Sequence, residues 1–325
     1  MEIRLICSTR HFKIESEDFH FNQFTLKTDE SKLWELIGYK TFIEKIGLNF
    51  CEHLVTNPYY FLVGESDQLI NEFTPNELRL SEKKAEELQF FMFCLWFIKD
   101  CCSNTDQLYT YIPSKDLAFS RQRTVFFTNA SGEYVDNSFT LAELNETKKV
   151  FVKFSKLIFE TIDYEQSVSE KEDGISKLTL GDSNFINDTS VNRIYRAYLF
   201  ITLARSNSLL PLKISFYIGA LEALFTTDKS EVSHKVTERV CLFLKGTKEE
   251  KLSNFQLIKK AYDIRSKFVH GQNLGKKVNR KKLQSISTET DTLLRQLMNV
   301  IISKPDIFLG DNEEISKHFT SLLLE

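Results

Sequence analysis

The sequence predicts a mostly α-helical protein, in which an N-terminal α+β domain is followed by a C-terminal helical bundle. The chain has 325 residues, which is enough for two ordinary domains. It contains only 11 glycines and five prolines, and this scarcity disfavours an all-β fold with many turns. Strand-like segments occur only before residue 130, whereas helical periodicity continues almost to the C-terminus.

The N-terminal domain is predicted to span residues 1–165. Clusters of β-branched and aromatic residues predict strands at 3–7, 108–112 and 124–128. Apolar residues spaced three or four apart predict helices at 31–46, 82–102 and 141–161. The longest apolar run, FFMFCLWFI at 90–98, is about half as long as a bilayer-spanning helix needs to be. We therefore interpret it as part of a buried helix.

The C-terminal domain is predicted to span residues 186–325, after a polar and acidic connection at 163–187. The same periodicity predicts helices at 188–206, 212–225, 230–245, 249–270, 279–303 and 313–324. We expect N-caps at Asp188 or Thr189 and at Ser230, because short polar side chains accept the first free N–H groups of a helix. Gly271 is the expected left-handed residue after the fourth of these helices. Successive helices with short connections favour a bundle.

Composition and residue spacing favour a globular protein over membrane, disulfide-rich and metal-binding proteins. The chain is 42% hydrophobic and 27% charged and has no signal-peptide pattern at its start, so a soluble, cytoplasmic protein without membrane contact is expected. Its six cysteines lack Cys-x-x-Cys spacing and are expected to be buried free thiols. The six histidines show no metal-ligand spacing, so neither a metal nor another cofactor is expected. Motifs of nucleotide-binding loops, zinc proteases and serine hydrolases are missing.

Charge is distributed unevenly along the chain. Residues 228–304 hold 17 Lys and Arg against eight Asp and Glu, whereas the whole chain has a net charge of −3. A basic segment in an acidic protein is typical of proteins that bind a phosphate backbone. Lysine-rich helix faces that are only solvated explain the charge equally well, so both interpretations are open.

The end of the helix predicted at 249–270 carries the strongest local signal. Four apolar residues share one face of it: Phe255, Ile258, Tyr262 and Val269. Arg265 lies on the same face, where a guanidinium loses hydration unless a carboxylate or a bound phosphate compensates it. Arg265 is therefore either a functional arginine or a structural one that pairs with Glu222 or Asp263.

His270 follows Arg265 by five positions, which is about 140° around an ideal helix. On a regular helix the two side chains therefore do not converge within one chain. They converge if Gly271 distorts the last turn, or if two copies of the helix meet across a two-fold axis. The structural alternative for His270 is a side chain that only satisfies carbonyl groups at the helix end.

Three segments in series are more specific than the Arg and His spacing alone. They are residues 220–225 (ALEALF), 232–240 (VSHKVTERV) and 262–271 (YDIRSKFVHG). In order and spacing they resemble the Apea-like HEPN family, and the resemblance covers roughly residues 190–300, about a third of the chain. Two positions depart from the family pattern: Ser266 stands where many members have Asn, Asp or His, and Val232 where Leu is usual.

The resemblance implies a C-terminal HEPN helical bundle and a homodimeric, metal-independent endoribonuclease, with Arg265 and His270 of both copies in one cleft. The ribose 2′-oxygen attacks the adjacent phosphorus and leaves a 2′,3′-cyclic phosphate. An imidazole exchanges protons near neutral pH, which suits His270 as general base or acid, and Arg265 stabilises the charge of the transition state. The family also implies an abortive-infection toxin of antiviral defence that degrades RNA such as tRNA, with a phage-derived trigger sensed by the N-terminal domain.

Several further residues are candidates, each with a structural alternative. Glu222 either supports Arg265 or pairs with Arg239 for stability alone. Ser266 is the polar neighbour of the arginine, and His234 near a helix start is either a capping or a catalytic residue. Basic residues close to the motif either guide RNA or form an ordinary solvated surface: Lys267, Lys276, Lys277, Arg280, Lys281 and Lys282. The rival function is a non-catalytic HEPN protein that binds RNA or a nucleotide, or only dimerises, as a sensor or scaffold.

Overall fold

The computed structural model describes residues 1–15, 19–38, 40–71, 75–122, 126–159, 191–275 and 278–324. These residues are mostly helical and include an antiparallel sheet near the N-terminus, which confirms the prediction of a mostly α-helical chain with strands in its N-terminal part. The chain divides into two compact units, of which the first comprises Met1–Phe151 and Arg205–Leu210. The second comprises Val152–Ala204 and Pro211–Glu325. The predicted connection at 163–187 and the expected caps Asp188 and Thr189 lie outside the described residues.

The described strands of the first unit are β1 (Glu2–Arg10), β2 (Phe12–Ile14), β3 (Phe19–Phe21), β4 (Phe24–Lys27), β5 (Tyr59–Glu65), β6 (Asn104–Ile112), β7 (Leu117–Gln122) and β8 (Asn137–Phe139). Six of them form one sheet in the order β3-β4-β5-β1-β6-β7, with antiparallel neighbours throughout. The other two, β2 and β8, form a separate parallel pair.

Two of the three predicted strands are confirmed within β1 and β6, and the third is wrong in its described part. Residues 126–128 are not a strand, and β7 ends at Gln122 instead. The backbone there is bound elsewhere: the N–H of Phe127 donates to the Asn104 side chain at 2.8 Å, and that of Thr128 to the Arg205 carbonyl at 2.6 Å. Bonds to distant parts of the chain thus replace a sheet ladder at these residues.

The described residues before 160 form six helices: α1 (Glu30–Ile37), α2 (Lys40–Ile46), α3 (Leu48–Thr56), α4 (Ser66–Leu69), α5 (Glu77–Cys94) and α6 (Leu141–Phe159). The single helix predicted at 31–46 is broken after Ile37, where the N–H of Gly38 closes the last turn on the Trp34 carbonyl at 2.7 Å. The helix predicted at 82–102 ends at Cys94 and continues only as a 3₁₀ turn, Leu95–Phe97.

Both faces of the sheet are covered, as the alternation along β1 shows. Ile3, Leu5 and Cys7 point to one face and pack with residues of α5. Ile6 points to the other face, where α1 and α3 supply Leu33 and other buried residues. Because successive strand residues point to opposite faces, one buried strand serves two hydrophobic cores.

The segment Arg205–Leu210 belongs to the first unit, although it lies far along the chain. The hydroxyl of Thr128 donates to the carbonyls of Arg205 and Asn207, both at 3.0 Å. Gly132 has a φ of +78°, and a Cβ at this position would stand 2.8 Å from the Ser208 carbonyl oxygen. The close backbone approach therefore requires glycine there.

The helices after residue 191 are α7 (Arg193–Arg205), α8 (Leu210–Phe225), α9 (Val232–Phe243), α10 (Lys248–Val269), α11 (Arg280–Ser303), α12 (Asp306–Leu309) and α13 (Asn312–Leu324). Apart from the four-residue α12, all of them were predicted, with bounds that differ by a few residues. Ser230 is not an N-cap, because α9 begins after Glu231, whose φ is +50° and whose side chain makes no cap hydrogen bond. The Ser230 hydroxyl instead donates to Asp228 at 2.7 Å.

Aromatic and arginine side chains join these helices at the end of α8. The ring of Phe225 lies 5.4–5.9 Å from the rings of Phe243, Phe308 and Phe319, on α9, α12 and α13. The last carbonyls of α8 have no partner within their own helix, and the buried Arg193 donates to those of Ala223 and Thr226 at 3.1 and 2.6 Å. Polar groups at the helix end are thereby satisfied inside the unit.

The start of α10 carries a capping box, in which two side chains satisfy two free N–H groups. Thr247 Oγ1 accepts the N–H of Glu250 at 3.2 Å, and Glu250 Oε2 accepts the N–H of Thr247 at 2.8 Å. We expect Thr247→Ala to lower the free energy of unfolding by about 1 kcal/mol. Urea unfolding measures this, and Thr288→Ala, an exposed position inside α11, is the control. Equal unfolding midpoints for both variants contradict the prediction.

All six cysteines are buried and none forms a disulfide, which confirms the sequence prediction. Among the described residues, no helix combines the length and the apolar character that crossing a bilayer demands.

Candidate active site

Helix α10 positions Arg265 at the border of the core. Its buried residues include Ile258, Ala261 and Ile264, and Arg265 lies beside this face with 36% of its side chain exposed. Nη2 of Arg265 donates to Oε2 of Glu222 on α8 at 2.9 Å, and the Glu222 side chain is 21% exposed. The guanidinium is therefore compensated by a carboxylate while part of it faces solvent.

Glu222 pairs with Arg265, and this is also the ion pair expected if Arg265 is a structural arginine. Arg239, the other candidate partner, donates through Nη1 to the Phe225 carbonyl at 2.6 Å and to Thr227 Oγ1 at 3.0 Å. Arg239 thus serves the end of α8, whereas Glu222 holds Arg265.

Tyr262 completes the cluster and was missed in the sequence, where it was grouped with the apolar face of the helix. Tyr262 is 9% exposed, and its hydroxyl lies beside the Glu222 carboxylate. Burial, and then the nearby charge of Glu222, raise the pKa of this phenol. The signal in the sequence was the position of Tyr262, one helical turn before Arg265 on the same face.

Burial also raises the pKa of Glu222, although Arg265 and Tyr262 act in the opposite direction. The folded state then binds a proton more tightly than the unfolded state does. The tighter proton binding of Glu222 stabilises the folded state fully below about pH 4. This stabilisation is lost as the pH rises through the raised pKa of Glu222 in the folded protein.

We therefore expect Glu222→Gln to change the pH dependence of stability. Glutamine has no charge to desolvate, so the variant lacks the loss of stability that the wild type suffers on going from acidic to neutral pH. The melting temperature of Glu222→Gln relative to wild type should be higher at pH 8 than at pH 4. Thermal unfolding followed by circular dichroism measures this, and a constant difference between the two pH values contradicts it.

His270 ends α10 as its C-cap, and its side chain is exposed. The N–H of Gly271 donates to the Phe268 carbonyl at 3.2 Å and that of Gln272 to the Lys267 carbonyl at 2.7 Å, the two bonds of a Schellman motif. The N–H of His270 itself donates to the Ser266 carbonyl at 3.1 Å. Because backbone groups satisfy these carbonyls, the imidazole is not needed for them, and it forms no hydrogen bond within the described chain.

Gly271 confirms the sequence prediction of a left-handed residue after the helix, with a φ of +66°. A Cβ at this position would meet nothing within 4 Å, so the cost of a side chain is conformational only. We expect Gly271→Ala to lower the free energy of unfolding by about 1 kcal/mol. Gly271→Asn should cost less, since asparagine tolerates this conformation better. Urea unfolding of both variants tests this, and equal losses contradict it.

One chain does not bring Arg265 and His270 together. No hydrogen bond, ion pair or ring contact joins the two side chains in the described part of the chain. The helix stays regular through Val269, so Gly271 does not distort the last turn towards Arg265. Val269, which the sequence placed on the buried face, is 62% exposed, because the core contacts of the helix end at Ile264.

The other supporting candidates lie apart from Arg265. Ser266 is exposed on the next position of the helix and acts here through its carbonyl. His234 is exposed in the first turn of α9, with its ring edge-to-face to Phe255 at 6.4 Å between ring centroids. His234 thus contacts α10 nearly three turns before Arg265.

The basic candidates divide into two groups. Lys267 forms an ion pair with Asp263 at 2.6 Å on the same helix. Arg280, Lys281 and Lys282 are exposed in the first turn of α11, whose N-cap Asn279 accepts the N–H of Lys282 at 3.0 Å. Lys276 and Lys277 lie outside the described residues.

Positive charge at a helix start opposes the helix dipole, which favours anions at that end. The three basic residues that open α11 therefore do not stabilise their own helix. They place cationic side chains at a helix N-terminus, and this combination attracts phosphate groups.

The side chains considered for chemistry here are Arg265 and His270. In the described residues, no group of three or more His, Cys, Asp or Glu side chains has the arrangement of a metal site. Arg265 offers donors for a phosphate, and His270 offers an imidazole that can exchange a proton with a ligand.

Comparison of the chain with protein-family models, with curated proteins and with solved structures found no match in any of the three.

Proposed function

We propose that this protein is a metal-independent endoribonuclease of the HEPN type, with Arg265 and His270 as its catalytic residues. The proposal includes a HEPN-like helical bundle after residue 191, a homodimer, a cytoplasmic location and an RNA substrate such as tRNA. The N-terminal unit serves as a sensor or regulator, and a phage-derived trigger acts through it in antiviral defence.

The main support for the proposal is that the His270 side chain makes no structural contact within the described chain. It is exposed, its imidazole forms no hydrogen bond within the described chain, and the carbonyls of Ser266, Lys267 and Phe268 accept backbone N–H groups. The resemblance of residues 262–271 to the family motif implies that His270 is a catalytic acid or base. Arg265 lies one and a half turns away, partly exposed and held by one carboxylate.

A second copy of the chain supplies the missing geometry. Arg265 and His270 are five positions apart, which is about 140° around an ideal helix, so within one chain they do not face one phosphate together. A two-fold axis near the end of α10 places Arg265 of one copy opposite His270 of the other. The basic first turn of α11 then follows the cleft, where it attracts the RNA backbone.

In this arrangement the residues perform a transesterification. His270 accepts the proton of the ribose 2′-hydroxyl or donates one to the leaving 5′-oxygen. The 2′-oxygen forms a bond to phosphorus, and the bond from phosphorus to the 5′-oxygen breaks. Arg265 stabilises the negative charge that develops on the phosphate oxygens. The products are a 2′,3′-cyclic phosphate and a 5′-hydroxyl end, and no water is consumed.

Incubation of the purified protein with total RNA in EDTA tests the function. We expect new RNA ends that carry 2′,3′-cyclic phosphates, and we expect none at a site where the 2′-hydroxyl is replaced by hydrogen. Ends with a 5′-phosphate, or cleavage that stops in EDTA, contradict the proposed reaction. A shift of RNA on a native gel without new ends instead favours a non-catalytic binding protein.

A further inference from the structure

Helices α9 and α13 enclose a groove with a volume of about 220 Å³. Ligand sites for drug-sized molecules occupy about 300–1,000 Å³, so this groove accommodates a smaller molecule. Each wall is one face of a helix, because the residues that line it lie three or four positions apart. The α9 wall includes Glu238, Arg239 and Leu242, and the α13 wall includes Ser316, Phe319 and Leu323.

Arg239 lines the groove and has donors without partners. The residue is only 7% exposed, and its guanidinium lies 5.5 Å from the centre of the Phe319 ring. Its Nη1 is bonded to the Phe225 carbonyl and to Thr227, whereas Nε and Nη2 form no hydrogen bond or ion pair within the described residues. Burial of a guanidinium is costly unless its donors are satisfied, and an anionic group in the groove would satisfy them.

The charges around the groove favour a ligand that is neutral overall. Lys235 also lines the groove, but its ammonium binds both oxygens of Asp228, at 2.8 and 2.9 Å, so this pair adds no net charge. The Glu238 carboxylate forms no hydrogen bond or ion pair within the described residues, and its charge acts on Arg239. One negative and one positive group therefore remain for a ligand. A phosphate dianion would be attracted by Arg239 and repelled by Glu238.

Apolar side chains form the rest of the contact surface. Leu242 and Phe319 stand on opposite walls, and Leu323 continues the α13 wall with 53% of its surface exposed. A ligand that covers these side chains removes apolar area from water, which favours binding. The groove thus offers a donor fork, a carboxylate and an apolar wall to one small molecule.

We propose that the groove between α9 and α13 binds a free apolar α-amino acid. The carboxylate of the amino acid accepts from Nε or Nη2 of Arg239, its ammonium donates to Glu238, and its side chain packs on the apolar wall. An α-amino acid carries both of its charges on one carbon, and the two protein charges likewise stand on neighbouring residues. This inference is independent of the proposed nuclease, since none of the described residues that line the groove is proposed for catalysis.

Isothermal titration calorimetry of the full chain with L-leucine tests the site. We expect a Kd of about 1 mM or lower, which ligands of this size reach. Isocaproate is leucine without the ammonium, and isopentylamine is leucine without the carboxylate. Each should bind at least about tenfold more weakly than leucine, the effect of one hydrogen bond to a charged group. The amine tests the contact with Arg239 without disturbing the bonds of this residue to the end of α8.

Glu238→Gln should change the two acids in opposite directions. The variant loses the partner of the ammonium, so leucine should bind about tenfold more weakly than to wild type. It also loses the repulsion of a carboxylate, so isocaproate should bind more tightly than to wild type. The melting temperature should change little, since Glu238 bonds nothing in the described chain.

Leu323→Ala tests the apolar wall at a position whose exposure makes unfolding of the variant unexpected. It should weaken leucine binding about fivefold, because part of the apolar contact is lost. Leu324→Ala is the matched control, since Leu324 is 85% exposed and does not line the groove. That variant should bind leucine like wild type.

Each outcome decides the inference. It is overturned if leucine gives no heat of binding, if isocaproate binds wild type as tightly as leucine does, or if Leu323→Ala and Leu324→Ala bind leucine alike. Titration with inorganic phosphate tests the simplest alternative. Phosphate that binds more tightly than leucine identifies an anion site and also overturns the inference.

Discussion

His270→Ala is expected to abolish RNA cleavage, with a loss of at least about 100-fold in rate, and to leave stability unchanged within about 0.5 kcal/mol. The side chain is exposed and bonded to nothing in the described chain, so its removal does not affect packing. His318→Ala, a histidine on α13 away from the motif, is the control. Rates from RNA gels and midpoints from urea unfolding measure both effects. Cleavage at the wild-type rate by His270→Ala contradicts the assignment.

Arg265→Ala should abolish cleavage to a similar degree, since it removes the charge that stabilises the transition state. It also leaves the half-buried Glu222 carboxylate without its ion-pair partner, which lowers stability for a reason unrelated to catalysis. The double variant Arg265→Ala with Glu222→Gln separates the two effects, because it removes the unpaired carboxylate. We expect this double variant to regain stability and to stay inactive. Recovery of cleavage together with stability contradicts a catalytic role for Arg265.

Mixed dimers test whether two copies share each site. When Arg265→Ala and His270→Ala chains are co-expressed, one composite site of the mixed dimer has lost both residues, and the other has kept both. About half of the activity of a wild-type dimer should therefore return in the mixed dimer. If Arg265 and His270 of the same chain form the site, every site in the mixed dimer is defective and no activity returns.

Arg205→Ala is expected to have the largest effect on stability, a loss of about 3 kcal/mol or more. Arg205 is 1% exposed, and its guanidinium lies 4.2 Å from the ring centre of Phe127 and 5.1 Å from that of Phe93. It also donates to the carbonyls of Phe93 and Cys101 at 3.2 and 3.0 Å. The alanine variant creates a cavity and leaves two buried carbonyls without these donors.

Two further variants define the cause of this loss. Arg205→Lys keeps the charge but lacks the planar fork that reaches both carbonyls and lies over both rings, so most of the loss should remain. Arg196→Ala, an exposed arginine on the same helix α7, should change stability by less than about 0.5 kcal/mol. Urea unfolding followed by circular dichroism measures all three. An unchanged midpoint for Arg205→Ala contradicts the structural role.

Helices that depend on interactions between residues close in sequence were predicted well. The helices after residue 191 follow from apolar residues three and four apart, and the end of α10 follows from Gly271, which adopts the left-handed conformation directly. The predictions failed where distant groups compete for the backbone. Asn104 and Arg205 bind residues 127 and 128, and this prevents the strand that their composition suggests.

The partners of the candidate residues were left open by the sequence for the same reason. Arg265 and His270 were proposed from the resemblance of three sequence segments to a family pattern, which needs no knowledge of packing. That Arg265 bonds Glu222 and not Asp263 depends on how α8 packs on α10, across 43 residues of sequence. The position of the Tyr262 hydroxyl beside Glu222 depends on the same packing, since periodicity alone places a tyrosine simply among apolar residues.

By itself, the sequence determined the helical character of the chain and the residues that end α10. These depend on interactions within a few residues, which periodicity and capping express directly. Only the tertiary structure decided which carboxylate holds Arg265, that His270 faces solvent, and that Arg205 is enclosed between two rings. Such contacts join segments far apart in the chain, and they form because burial requires a partner for every polar group.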